Sequence, residues 1–197
     1  MGKINALISL IVLLAFTNLF AQGADDTRSR EISEYTKNIK LNPKDAGAYI
    51  NRGDTYVAMA KYDQAILDYS KAIEIDPKNA VAYTNRGNAY AAKGDYNQSI
   101  SDLNEANQLN PYYVPAYTNR GNAYAAKGDY NQSISDLSAA IKLNPSFGPS
   151  YKYRAAAYLS AKQYDKAWDD LHEAEKLGTN IDSSFFNELI KASGRQN

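Results

Sequence analysis

Between Tyr83 and Leu109 the apolar residues fall at helical intervals. Tyr83, Arg86, Gly87 and Tyr90 are three and four apart, and so are Tyr96, Ile100, Leu103 and Ala106, which predicts two amphipathic α-helices. Gly94-Asp95 breaks the pattern between them. Asn110-Pro111 ends the second helix, because proline disfavours helical geometry in the residue before it. The same hairpin returns every 34 residues: Tyr49, Tyr83, Tyr117 and Tyr151 are in phase, as are Arg52, Arg86, Arg120 and Arg154, and Ala72, Ala106, Ala140 and Ala174. A fixed period of this size marks a stack of supersecondary units, none of which can bury its apolar face alone.

The spacing of Tyr49, Gly53, Tyr56, Ala65, Tyr69, Ala72 and Pro77 resembles the tetratricopeptide repeat (TPR), and the next two units match comparably. The resemblance covers residues 46 to about 180 and implies an all-α fold: a right-handed α-α superhelix (solenoid) of four TPR helical hairpins with N- and C-terminal capping helices. The expected repeats are 46–79, 80–113, 114–147 and 148–181. They are preceded by a half repeat or capping helix at 24–45 and followed by a solvating helix at 182–197. Ser99 and Ser133 depart from the pattern in place of Ala65. The last unit departs further, with Ala155 for Gly, Trp168 for Ile and Gly178-Thr179 for the proline ending. Asp182-Ser183-Ser184 offers N-cap side chains to a helix stopped by Gly194, and its Phe185 and Phe186 are expected to close the end of the stack.

The first two dozen residues lie outside the periodicity. Lys3 precedes an apolar run from Ala6 to Phe16, after which the chain turns polar and small, the order of a secretory signal peptide at 1–23. Cleavage after Gly23, Ala21 or Ala24 fits. An uncleaved membrane anchor is the alternative, but a spanning helix needs about 20 mostly apolar residues and this run is shorter. The sequence thus predicts an exported protein, periplasmic or secreted, without stable membrane insertion after cleavage. Ala6 stands where a myristoylation motif needs Ser or Thr. With no cysteine there is no disulfide and no thiolate site. Asn97-Gln98-Ser99 and Asn131-Gln132-Ser133 would be glycosylation acceptors in a eukaryotic secretory pathway.

Lys plus Arg equals Asp plus Glu, at 22 each, so the chain lacks the clustered positive charge that nucleic-acid binding requires. Enzymatic constellations are equally missing. His172 is the single histidine, and one histidine without cysteine builds neither the usual nucleophile nor a zinc site; neither cofactor nor metal is expected. The recurring carboxylates Asp68, Asp102, Asp136 and Asp170 accompany the four in-phase arginines. These are expected to form structural charge pairs, within a hairpin or between neighbours, since an unpaired half-buried ladder would be costly. An arginine groove for acidic ligands is the alternative. Twelve of the 17 tyrosines occupy three in-phase positions of four repeats and read as packing residues.

The candidate site is the inner face of each first helix, which in TPR proteins lines a groove for extended peptides. There Asn51, Asn85 and Asn119 are in phase, followed three residues on by Asp54, Asn88 and Asn122, with Thr84, Thr118 and Lys152 beside them. An Asn side chain both donates and accepts, so a row of them can pair with a peptide backbone without selecting side chains. The row resembles the Asn ladder of peptide-gripping superhelices such as the repeat domain of O-GlcNAc transferases. Tyr153 and Ala156 break it in the last repeat. Ile50, Asp54 and Pro149 stand where the two-carboxylate clamp of chaperone-binding members would place Lys and Asn, which argues against an acidic-tail ligand. Solvated filler is the competing reading of the row, although Asn is a poor helix-interior residue by a few tenths of a kcal/mol. Residues 82–103 are identical to 116–137, so two units carry the same groove chemistry. The expected function is a non-enzymatic protein-interaction module with a protein or extended peptide as partner. The rival is a self-assembling scaffold, a homo-oligomer joined through repeat ends or outer faces.

Overall fold

The computed structural model describes residue 23 and residues 25–195, so the expected signal segment lies almost wholly outside the described residues. Every regular element among the described residues is an α-helix, none of them long and apolar enough to cross a membrane. The chain divides into two compact units at Asp76 and Pro77.

The first unit contains helix α1 (25–41), α2 (Ala46–Ala58) and α3 (Tyr62–Ile75). The Asp45 side chain accepts the Ala48 N–H and starts α2, satisfying one of the donors left over at a helix N-terminus. α2 and α3 form a hairpin whose interior is Ala65, Tyr69 and Ala72, each at most 1% exposed. Gly53 makes room for the Tyr69 ring: a Cβ there would approach it to 2.6 Å. At the hairpin turn Ala60 adopts φ 55°, a left-handed conformation unfavourable for a residue with a Cβ.

The second unit stacks three hairpins: α4 (Ala80–Ala92) with α5 (Tyr96–Leu109), α6 (Val114–Ala126) with α7 (Tyr130–Leu143), and α8 (Gly148–Ser160) with α9 (Tyr164–Lys176). α5 and α7 each pack on the hairpin that follows, and the first helices α4, α6 and α8 pack on one another in sequence. Asn110 and Asn144, each before a proline, are extended at ψ 92° and 94°, which turns the chain out of α5 and α7. Asn79 caps α4 through Ala82 N–H. Tyr113 and Phe147 cannot cap α6 and α8, which carry Pro115 and Pro149 in the first turn, where the missing N–H leaves no orphan donor.

α10 (Ser183–Ser193) begins with Asp182 accepting the Ser184 N–H and ends at Gly194, φ 69°. Leu189 is fully buried among Ala155, Leu159, Ala167, Trp168 and Leu171, and Phe185 and Phe186 pack against the same cluster, with Phe186 6.3 Å from the Trp168 ring. The paired phenylalanines close this end. His172 is exposed, and it also stacks on Trp168 at 5.5 Å.

Candidate peptide-binding face

Behind the candidate face each first helix is anchored by its arginine. Arg52, Arg86, Arg120 and Arg154 each donate twice to the aspartate of their own hairpin, Asp68, Asp102, Asp136 and Asp170, at 2.7 to 2.8 Å. The pairs therefore run within hairpins. The remaining nitrogen reaches the preceding second helix, from Arg120 to Asn104 at 2.7 Å and from Arg154 to Ser138 at 2.9 Å; in the first unit Arg52 reaches Thr36 at 3.0 Å. Each guanidinium also lies 5.4 to 5.7 Å from the ring of Tyr49, Tyr83, Tyr117 or Tyr151. Hydrogen bonding to the aspartates holds Arg52, Arg86 and Arg154 above the ordinary arginine range. For Arg120 burial is the largest influence and pushes down, but the hydrogen bond to Asp136 and the charge of that carboxylate together outweigh it. These arginines serve packing, and the arginine-groove alternative is overturned by the bidentate pairing.

With each arginine turned inward, the opposite sides of α4 and α6 are left without charge, whereas α2 carries Asp54 there and α8 the half-buried Lys152. On α4 the positions i, i+4, i+7 and i+11 form one stripe of Val81, Asn85, Asn88 and Ala92; on α6 it is Pro115, Asn119, Asn122 and Ala126; on α8 it is Pro149, Tyr153, Ala156 and Ser160. Asn88 and Asn122 are exposed, Asn85 and Asn119 half-buried. Tyr153 is half-buried at the position in phase with Asn85 and Asn119. The stripe can be found in the sequence from helical spacing alone, but its uncharged character emerges only once Arg86 and Arg120 are known to face the other way.

Three of the expected flanking residues are engaged elsewhere. Thr84 and Thr118 are 1% exposed, in the interior, and their hydroxyls donate to the carbonyls of Ala80 at 2.8 Å and Val114 at 3.0 Å. The Thr118 hydroxyl also lies 2.7 Å from that of Ser150, joining α6 to α8. They are helix-packing residues, one position off the stripe. Lys152 is half-buried and its ammonium donates to the Asn180 carbonyl at 2.9 Å.

In the first unit Asn51 and Asp54 are exposed and line an open cleft of about 510 Å³ with Arg28, Glu31 and Tyr35 of α1. Asp54 accepts the Tyr69 hydroxyl at 2.6 Å, and burial, followed by this bond, pushes the Tyr69 phenol far above its ordinary value. Where the second unit has Leu103 and Leu137 in place of Tyr69, it has Asn88 and Asn122 in place of Asp54. The acid thus has a structural partner. Among the described residues no group of three or more His, Asp or Glu could hold a metal ion.

The family profile described as TPR repeat matches residues 53–94 and 87–128, and that described as Tetratricopeptide repeat matches 114–147. The first TPR of Spaghetti (RPAP3), solved bound to the HSP90 peptide SRMEEVD, is 30% identical, with 59% of this chain and 92% of that chain covered and a TM-score of 0.57. The chain belongs to the tetratricopeptide repeat family. Among other solved TPR-like structures, MamA is 25% identical over 79% of this chain and 94% of its own, TM-score 0.66. A thermophilic TPR protein of Thermus thermophilus shares the fold at 22% identity, covering 91% of this chain and 95% of its own, TM-score 0.71. Comparison with curated proteins gave no match. The TPR fold is consistent with a protein-interaction module, and membership leaves open what this particular face binds.

Proposed function

We propose that this TPR protein is an exported, non-enzymatic interaction module whose Asn-bearing stripes on α4 and α6 grip an extended, uncharged segment of a partner protein. The observation that carries the reading is the absence of charge along the stripes: the arginines of these helices are committed to Asp102 and Asp136, and what faces outward is Asn, Ala, Val and Pro. Amide side chains can pair with both N–H and C=O of a backbone, while alanine lets that backbone approach. The RPAP3 relative was solved with an acidic HSP90 peptide. The stripes here carry no lysine or arginine to meet carboxylates, so a neutral ligand fits better. End-to-end self-assembly has less support, because α10 covers the apolar end with Leu189 buried and Phe185 and Phe186 packed down.

The test is affinity capture from the source organism's envelope or medium with the wild-type protein and with Asn85→Ala/Asn119→Ala. A partner held by the wild type and lost by a variant of unchanged helicity supports the groove; equal capture moves binding to the outer face or the ends. Concentration-dependent mass in solution would then favour the scaffold. Export is tested separately by N-terminal sequencing, with a mature chain starting at Gln22, Ala24 or Asp25 expected and an intact Met1 counting against it.

A further inference from the structure

The spacing of the stripes restricts the conformation of what they hold. α4, α6 and α8 are in side-by-side contact. Across α6 and α8 two small residues meet, Thr118 and Ser150, with hydroxyls 2.7 Å apart; Thr84 and Ala116, one hairpin earlier, are likewise buried. Helices packed in this way lie about 8–10 Å axis to axis, so equivalent positions such as Asn85, Asn119 and Tyr153 recur at about that interval. Because residues 82–103 repeat as 116–137, the α4 and α6 stripes are chemically alike and call for the same ligand face at each step.

A β-strand does not provide it. Its side chains alternate, so one face returns after two residues at about 6.6 Å or after four at about 13 Å. A polyproline II segment has three residues per turn and about 3.1 Å rise per residue, so one face returns every 9.3 Å or so. Polyproline II also forms no internal hydrogen bonds, leaving its carbonyls for donors such as the Asn amides. Grooves that take such segments use aromatic rings against the proline faces, and Tyr153 sits at the in-phase position of the third stripe. The lack of charge matches as well.

We infer that the partner segment held by α4, α6 and α8 is a neutral polyproline II stretch with proline recurring every third residue, Tyr153 receiving a proline ring; the inference rests on the groove reading above. It is tested by isothermal titration of the full chain with three acetylated, amidated dodecapeptides: four copies of Pro-Pro-Ser, four of Gly-Ser-Ser, and six of Thr-Ser. The expected result is binding of the proline peptide at least about tenfold tighter than either of the others. That binding should be lost in Asn85→Ala/Asn119→Ala, weakened about fivefold or more in Tyr153→Ala, and little changed by added salt. Equal binding of the Thr-Ser or Gly-Ser-Ser peptide, still lost in the double variant, overturns the conformational inference and leaves the groove reading standing. The inference alone also fails if no peptide binds while the double variant still loses a captured partner. If the double variant captures as the wild type does, the groove reading falls, and the inference with it.

Discussion

Replacing Asn107 with isoleucine should make the protein more stable. Asn107 lies on α5, is 7% exposed, and neither its Nδ2 nor its Oδ1 has a hydrogen-bond partner. The in-phase residues of the hairpins before and after are Ile73 and Ile141, and the neighbouring positions Leu103 and Ala106 are repeated as Leu137 and Ala140. The site therefore belongs to a framework that elsewhere accommodates isoleucine. An unsatisfied buried polar group costs about 1–3 kcal/mol. The added apolar area contributes a further 1–2 kcal/mol or so at about 25 cal/mol per Å², and part of this is offset by fitting a larger side chain at a cost of about 1 kcal/mol or more. The net gain expected is about 2 kcal/mol, which for a chain of this size raises the thermal midpoint by roughly 4–8 °C. Melting followed by circular dichroism reads this directly, with urea titration confirming that the slope is unchanged. A midpoint that stays or falls would show that the asparagine amide is hydrogen-bonded as favourably as isoleucine would be packed, and would refute the reasoning.

Arg120→Ala should be strongly destabilising, by about 3–5 kcal/mol, because it strands the 4%-exposed Asp136 without its charge partner and takes a donor from Asn104; Arg120→Met with Asp136→Leu should recover most of the loss, and equal urea midpoints for the two variants would count against the pairing argument. Ala60→Gly relieves a left-handed residue where the in-phase positions are Gly94 and Gly128, and after the glycine's unfolded-state entropy is subtracted should stabilise by roughly 0.5–1 kcal/mol, read as a small upward shift of the melt. The Asp182 carboxyl is held below its usual value of 3.8 by the Ser184 hydroxyl and then its backbone N–H. A folded-state value below the unfolded one means that the cap's contribution is complete above the unfolded value and is lost as pH falls through the folded one. Acidification through and below that range should loosen α10 and change Trp168 fluorescence, since the indole donates to Ser193; an identical transition in Asp182→Asn, which caps without titrating, would rule the cap out as its cause.

The 34-residue phase, the two helices within it and their proline stops were legible because helix periodicity and backbone restriction are local properties. The Arg and Asp phases likewise announced a pairing, since two opposite charges repeated four times at constant separation need each other in a half-buried setting. Which way each side chain turned was less legible. Thr84 and Thr118 read as groove residues, yet a rotation of about 100° per residue places them one step off the Asn stripe, inside the contact between first helices, where small hydroxyl residues allow close approach. Asp54 read as a member of the ladder, but Tyr69, 15 residues away, is its partner. The burial of Asn107 was signalled only by Ile73 and Ile141 at its in-phase positions, and that its amide lacks a partner emerges only from the structure. Sequence by itself determined the repeat family and its elements, because these follow from spacing along one chain. Only tertiary structure decided which face is free of charge, because that depends on where each arginine finds its aspartate across the hairpin.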